Sequence, residues 1–548
     1  MEDRMTTLPY PPDSLRARLD HEPQPVQFGT SGRRGTVVNL TQLEIYLNAW
    51  AELEYLLSLS QAEGGIVRGD AFFYAYDLRP SSSAYVELPP RRGELAQAVE
   101  AAIRAAGLSP VNLGRIPTPA LTRYALSQGK GSIMVTGSHI PFDRNGYKTN
   151  TSVGELLKQH EAPVNAKVEE VRERIYRQPY AESPFDASGL FKDGHRELAP
   201  ESSAAAEAYV RRYLDFFGAG ALAGTRLLAY QHSAVGRDML VDILRGLGAE
   251  VFPAGRSETF VPIDTENIDA AQLATIQALY DQAAQEHGRI DAVISTDGDS
   301  DRPLILGIEA GQARFFGGDL VGMVTAEFLG ADAVVVPISC NDAIDRGPLK
   351  TLLEPKTRIG SPFVIAGMEA ARAQGKRAVC GWEANGGFLT GSDIARKGKT
   401  LAALPTRDAL LPIVTVLVAA RERGLPLTGL FAELPGRYSR AALLKDFPKA
   451  TSLKILARLT PDSPDVRAEL EGFFPAEAGF GALAGLDYTD GVRISFDNGD
   501  VAHLRPSGNA DELRIYAVAD TQARADAIAA LGVAEPAGIL RRLERLAQ

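Results

Sequence analysis

The chain has 548 residues, of which 45% are hydrophobic, 58 are Lys or Arg and 69 are Asp or Glu, giving a formal net charge of −11. That length and apolar content allow three or four ordinary domain cores and exclude a disordered chain. A generally acidic surface excludes nucleic acid and an anionic membrane as the main partner, because both select a basic footprint. An anionic ligand must therefore be held by local Arg, Lys and backbone N–H groups. The first 25 residues are polar and proline-bearing, without the apolar run of a secretion signal. The two cysteines, Cys340 and Cys380, lack metal-ligand spacing and fit a reducing compartment. The expected location is the cytoplasm.

In chain order, residues 71–76 predict a strand, 93–106 a helix and 133–135 a strand. Residues 161–200 are polar and proline-bearing and read as an insertion or linker. Strands are expected at 226–230, 291–295, 333–337 and 378–381, with helices at 238–247 and 271–285 between them. The apolar run 410–420 contains Pro412 and is too short for a bilayer, so it predicts a buried helix. Alternation of this kind argues for α/β domains with mixed, largely parallel sheets, whose catalytic loops sit at strand carboxyl ends. The last quarter differs. A hairpin over 491–504 turning at Asp-Asn-Gly, a strand over 513–518 and a helix over 521–531 predict a smaller α+β domain. The expected domains are 1–198, 199–310, 311–430 and 431–548, with 425–437 as the last boundary.

Five segments carry candidate chemistry. In TGSHIPFDRNGYK, Ser138 and His139 follow a strand and Lys148 comes ten residues after the serine. An acyl-transfer elbow requires glycine two residues past the serine, where Ile140 stands. His139 is poorly placed as its base, since adjacent side chains in extended structure face opposite ways. A helix-capping serine and a phosphate-carrying serine both remain open. In DGDSDRP, Asp297, Asp299 and Asp301 alternate after a strand, so one loop can turn all three toward a hard cation. An EF-hand needs glycine and glutamate where Arg302 and Ile308 stand, and that reading fails. RPSGNADELR offers Arg505, Ser507, Gly508, Asn509 and Arg514 to an oxyanion. FGTSGRRG offers Arg33 and Arg34 among small residues. GWEANGGF offers Glu383 and Asn385 to vicinal hydroxyls. Taken singly, each of these last three is also an ordinary turn.

In this order, the five segments resemble the α-D-phosphohexomutase superfamily, which includes phosphomannomutases and phosphoglucomutases. The resemblance implies three α/β domains plus a smaller C-terminal α+β domain around a central cleft. It implies Ser138 as the phosphoserine and Asp297, Asp299 and Asp301 as Mg²⁺ ligands, with a phosphoserine oxygen completing the set. Lys148 becomes a candidate acid/base, with Arg34, His139 and Arg302 around the phosphoryl group. Glu383 and Asn385 fall on the sugar loop, and Arg505, Ser507, Gly508, Asn509 and Arg514 on or beside the phosphate loop. The implied reaction interconverts hexose 1-phosphate and hexose 6-phosphate through hexose 1,6-bisphosphate. A metal-dependent sugar phosphatase and a non-catalytic sugar-phosphate-binding protein are the alternatives. The chain departs from the family pattern at Ile140 (usually asparagine), Ser300 (usually glycine), Asn385 (usually serine) and 509–511. The Thr-Gly-Ser-His form points toward mannose and the Phe-Gly-Thr-Ser-Gly form toward glucose; an aminosugar is less favoured.

Overall fold

The computed structural model describes residues 10–87, 91–266, 268–507 and 511–547. The chain forms two compact units. The first takes in the chain up to Arg211 with 232–236 and 257–262, and the second the remainder.

The first unit is built on a six-stranded sheet in the order Gln27–Phe28, Arg33–Thr36, Arg144–Asn150, Ser132–Val135, Ala71–Tyr76, Ser109–Asn112. The AFFYAY strand is apolar throughout because both of its faces are covered. Phe72, Tyr74 and Tyr76 enter the core beneath helices Gln42–Ser58 and Leu95–Ala105, while Phe73 meets Tyr124 of Thr118–Ser127 edge to face. Helix Gln42–Ser58 starts at Thr41, whose hydroxyl accepts the Glu44 amide. It carries two apolar stripes. Ile45, Ala49, Leu53 and Leu56 enter the core shared with the sheet and helix Leu95–Ala105. Leu43, Leu47 and Ala51 face Val164, Val168, Val171 and Ile175 of helix Glu161–Tyr176. Part of the stretch that reads as an insertion or linker is thus an outer helix with its own buried seam.

The second unit holds three larger sheets. The first is Glu250–Arg256, Arg226–His232, Ala292–Thr296, Pro303–Glu309, Gln312–Phe315. The next is Ala333–Val335, Val379–Trp382, Phe388–Thr390, Leu404–Asp408. The last, wholly antiparallel, runs Tyr438–Lys445, Glu512–Ala519, Val501–Pro506, Val492–Phe496, Leu483–Asp487. Its back face (Val492, Ile494, Ala502, Leu504, Leu513, Ile515, Ala517) packs with residues of helices Lys449–Arg458, Pro464–Phe473, Gln522–Val533 and Ile539–Ala547. Helix Leu410–Arg423 is buried from Leu410 to Ala420, and Pro412 sits harmlessly in its first turn, where no intrahelical N–H is needed. Among the described residues, no helix is long and apolar enough to cross a membrane.

The sheets are mixed, with a larger antiparallel share than the α/β alternation suggests. Parallel pairing joins Ala71–Tyr76 to both of its neighbours, Arg226–His232 to Ala292–Thr296, and Ala333–Val335 to Val379–Trp382. Strands Ser132–Val135, Ala292–Thr296 and Val379–Trp382 each then turn back as antiparallel hairpins. Three candidate segments sit in those hairpin loops, at strand carboxyl ends.

If the outer helix is structural, Ile175→Ala, which empties a site only 1% exposed, should cost about 2–5 kcal/mol. An unchanged urea midpoint for the first unit would show the helix to be peripheral.

Candidate active site

In the first unit, the serine loop is held from beneath by residues that follow the neighbouring parallel strand. Strands Ala71–Tyr76 and Ser132–Val135 end on the same edge, so Asp77 and Arg79 lie against Thr136–Ser138. Asp77 accepts from Thr136 Oγ1 (2.8 Å), Gly137 N (3.3 Å) and Ser82 Oγ (2.6 Å). Fully buried Arg79 donates through Nη2 to the carbonyls of Ser138 (2.8 Å) and Ile140 (2.5 Å). Through Nη1 it donates to those of Pro141 (2.7 Å) and Arg144 (2.8 Å). A Cβ on Gly137 would stand 2.5 Å from the Arg79 guanidinium carbon, so only glycine admits that side chain. Ser138 itself has φ +54°, a left-handed conformation that costs a residue with a side chain about 1–3 kcal/mol. Four carbonyl hydrogen bonds to one guanidinium are what maintain it.

Lys148 lies across the hairpin, with Met134 opposite Lys148 and Val135 opposite Tyr147. It is 6% exposed. Strand Arg33–Thr36 runs along the far side, with Arg34 opposite Gly146. The two arginines of this motif divide the work. Arg33 is buried and spent on Glu52 (2.6 Å), the Val26 carbonyl (2.6 Å) and Asn165 (3.0 Å). Arg34 is half-buried, donating to the carbonyls of Arg33 (2.8 Å) and Tyr147 (3.2 Å). Ser138 and His139 thus follow one strand of this sheet, Lys148 lies on the strand paired with it and Arg34 on the strand beyond.

In the second unit, the hairpin between Ala292–Thr296 and Pro303–Glu309 turns Asp297, Asp299 and Asp301 inward. All three are buried, with one carboxylate oxygen from each within 4.8 Å of the others. Asp297 Oδ1 accepts the amides of Asp301 (3.1 Å) and Arg302 (3.2 Å), which curls the loop. Ser300, at φ +57°, occupies a backbone conformation suited to glycine; its hydroxyl meets that of Thr296 at 2.8 Å, which offsets part of the strain. An all-oxygen donor set of three clustered carboxylates fits a hard divalent cation.

The strand before the sugar loop, Val379–Trp382, places Glu383 at its carboxyl end, buried. Asn385 accepts the Gly387 amide through Oδ1 (3.0 Å) and Thr265 Oγ1 through its carbonyl (2.8 Å), so it shapes the turn from within. The two loops are joined by Arg407, on Leu404–Asp408. Its Nε and Nη2 donate to Asp301 Oδ2 (3.0 and 2.9 Å), and its Nη1 donates to Glu383 Oε2 (2.9 Å). Arg302 Nε stands 3.6 Å from Asp301 Oδ1.

On the C-terminal sheet, alternation leaves a polar front face. Arg505 stands opposite Arg514, and His503 opposite Tyr516. Two like charges across a ladder need compensation. Asp490 accepts Arg505 Nε at 3.1 Å, and Glu512 accepts Arg514 Nη2 at 2.9 Å. Ser507 is buried, its amide donating to the Glu512 carbonyl (2.9 Å). Gly508 and Asn509 lie outside the described residues. A cavity of about 450 Å³ opens beside Ala384 of the sugar loop, lined among others by Glu266, Asp319, Ser339, Asn341 and Tyr516. Burial pushes the Asp319 carboxyl up to about 6. Burial and then the neighbouring Asp264 push Glu266 up to about 7.

Asp77, Arg79 and Arg407 were not singled out in the sequence. Their signal is a charged residue at or just past the end of a buried strand, as in AFFYAYDLR and LPTRD.

The fold is that of a phosphoglucomutase/phosphomannomutase family protein from Burkholderia thailandensis. The two superpose with a TM-score of 0.64 at 18% identity, over 94% of this chain and 97% of that one. Residues 25–175 match the phosphoglucomutase/phosphomannomutase α/β/α domain I, 317–438 the α/β/α domain III and 461–532 the C-terminal domain. A phosphomannomutase of Sinorhizobium fredii is 37% identical over 93% of this chain and 98% of its own. One from Salmonella muenchen is 38% identical over 91% and 92%. The chain belongs to the phosphoglucomutase/phosphomannomutase family of the α-D-phosphohexomutase superfamily: it is a phosphohexomutase, an intramolecular phosphotransferase.

His503 supplies a pH test of the phosphate-loop sheet. Burial lowers its pKa to about 4, against the pull of a hydrogen bond between Nε2 and the Asp490 carbonyl (2.5 Å). The unfolded chain, with an ordinary histidine, takes up the proton first as pH falls. The associated stability is therefore complete above about 6.5 and is lost progressively toward 4. An imidazole NMR signal still neutral at pH 5 is the expected result; titration near 6.5 would refute the buried geometry.

Proposed function

We propose that this phosphohexomutase acts chiefly on mannose phosphates, interconverting the 1- and 6-phosphates through Ser138 and a bisphosphorylated hexose. The observation that carries the sugar assignment is the name shared by two relatives at 37–38% identity over nearly the whole chain, both phosphomannomutases. The proposed domains are 1–198, 199–310, 311–430 and 431–548.

Phosphoryl transfer needs positioning and charge neutralisation more than new covalent chemistry. Ser138 is the proposed phosphoryl carrier, its oxygen presented by the loop that Arg79 holds. Asp297, Asp299 and Asp301 are the proposed ligands of Mg²⁺, which when bound would withdraw charge from phosphoryl oxygens. Arg34 and His139 contribute positive charge or hydrogen bonds around the same group. Lys148 is the proposed acid/base, accepting the proton of the attacking sugar hydroxyl and returning it in the second transfer. Glu383 recognises hydroxyls, with Asn385 and Arg302 beside it. Arg505, Arg514, Ser507, Gly508 and Asn509 hold the phosphate that is not reacting. A dedicated second phosphate site favours a mutase over a sugar phosphatase, since hydrolysis gains little from it.

The deciding measurement is turnover of mannose, glucose and glucosamine 1-phosphates with hexose 1,6-bisphosphate as activator. Mannose 1-phosphate is expected to show the highest kcat/KM; a preference for glucosamine 1-phosphate would overturn the sugar assignment. Ser138→Ala should lose turnover by several orders of magnitude, and unchanged turnover would remove this nucleophile. Asp299→Ala should keep the fold, by circular dichroism, and lose metal-dependent activity. Full activity of the unmodified protein in chelator would refute the metal assignment.

A further inference from the structure

Arg407 has a position that the proposed chemistry does not use. Its strand, Leu404–Asp408, pairs with Phe388–Thr390, the strand leaving the sugar loop, with Phe388 opposite Asp408. Side chains alternate along it. Asp408 caps helix Leu410–Arg423, accepting the Leu410 amide at 3.0 Å, while Arg407 runs toward the two loops. A Cβ on Gly387 would lie 2.4 Å from Arg407 Cδ, so the sugar loop is shaped to let this side chain past. Arg407 is 4% exposed, and its guanidinium divides its two edges between the loops. Nε and Nη2 grip one oxygen of Asp301, and Nη1 grips one oxygen of Glu383.

The geometry points to Arg407 as a positioning residue that ties cation occupancy at the aspartate loop to hexose recognition at Glu383, so that metal and sugar phosphate bind with positive coupling. The inference rests on the reading above, in which the aspartates hold the metal and Glu383 meets the sugar. The physical basis is shared charge. Asp297, Asp299, Asp301 and Glu383 bring four negative charges, and Arg302 and Arg407 bring two positive ones, leaving minus two among these six groups, with Glu266 a further acidic neighbour of Arg302 and Glu383. A divalent cation cancels that remainder. With the cation present, Asp301 makes less demand on Arg407, whose hold on Glu383 then strengthens and fixes the carboxylate for vicinal hydroxyls. Reciprocity requires that a sugar bound to Glu383 favour the cation by the same factor. Lysine cannot replace arginine here, because one ammonium lacks the fork that reaches both carboxylates.

The test uses full-length Ser138→Ala protein, which binds without turning over. Calorimetry measures Mg²⁺ alone, then mannose 1-phosphate with and without saturating Mg²⁺. Mg²⁺ is expected to raise sugar-phosphate affinity at least about fivefold. Adding Arg407→Lys should bring that ratio to within about twofold of unity. Glu383→Gln, which keeps the Asp301–Arg407 pair, should also collapse the ratio and, by removing one of the four negative charges, weaken Mg²⁺ binding itself. It carries the test if the lysine variant melts early. The same ratio in parent and variants would overturn the inference and assign any coupling to direct contact between phosphate and metal. Failure of the wild-type enzyme to interconvert hexose phosphates would instead overturn the functional reading, and that is measured separately.

Discussion

Three buried carboxylates within 4.8 Å of one another are the constraint around which the second unit is arranged. Like charges in a poorly solvated site repel, and a chain that keeps them there must supply positive charge from elsewhere. Two buried arginines supply part of it, Arg302 from the same loop and Arg407 from a strand more than a hundred residues on. The remaining negative charge defines what the site is for. With Glu383 counted as the fourth carboxylate, these groups are short of two positive charges, and their all-oxygen donor set suits a hard divalent cation better than a thiophilic one. The hairpin is curled by amides donated to Asp297, so the carboxylates are oriented before any ion arrives.

The two units solve the same mechanical problem in the same way. A functional loop at the end of a strand has carbonyls and carboxylates to satisfy and little apolar surface with which to hold its shape. In each unit one buried arginine from outside the loop does the holding: Arg79 under the serine loop, Arg407 between the aspartate loop and the Glu383 loop. Arginine suits this because its planar fork presents five donors in fixed directions and stays charged at any working pH. In each unit a glycine, Gly137 or Gly387, is the position where that fork passes the backbone too closely for a Cβ. The result is a rigid frame under the candidate site residues of each unit.

What could be read in the chain beforehand follows from how local each signal is. Strand 71–76 was legible because a run buried on both faces needs no partner to be recognised, and it forms with those same bounds. The aspartate cluster was legible because its alternation is itself the geometry. Within the stretch 161–200, read as an insertion or linker, the helix over 161–176 was not legible because Val164, Val168, Val171 and Ile175 are scattered among charges, and only the second stripe of helix Gln42–Ser58 shows what they bury against. Helices Lys449–Arg458 and Pro464–Phe473, on the back of the last sheet, were missed for a similar reason. Asp77, Arg79 and Arg407 act across 24 to 106 residues of sequence. Their one local sign, a charge at or just past the end of a buried strand, does not reveal which distant loop the residue holds.

The net charge of −11 looks at first unsuited to an enzyme of sugar phosphates. The phosphate-loop sheet shows how the conflict is met. Arg505 and Arg514 stand side by side on the front face, yet each already carries a carboxylate, Asp490 or Glu512. The pairs cancel at a distance, so this face adds little attraction beyond a Debye length. At contact, however, a paired guanidinium still has N–H groups to give, in a direction its carboxylate has fixed. The phosphate recognition proposed for this face therefore rests on placed donors rather than on a positive field. That is the arrangement a mutase needs if a bisphosphorylated sugar is to be gripped at one end, let go and gripped at the other: short-range bonds can be exchanged one at a time, whereas a deep electrostatic well would hold both phosphates where they first landed.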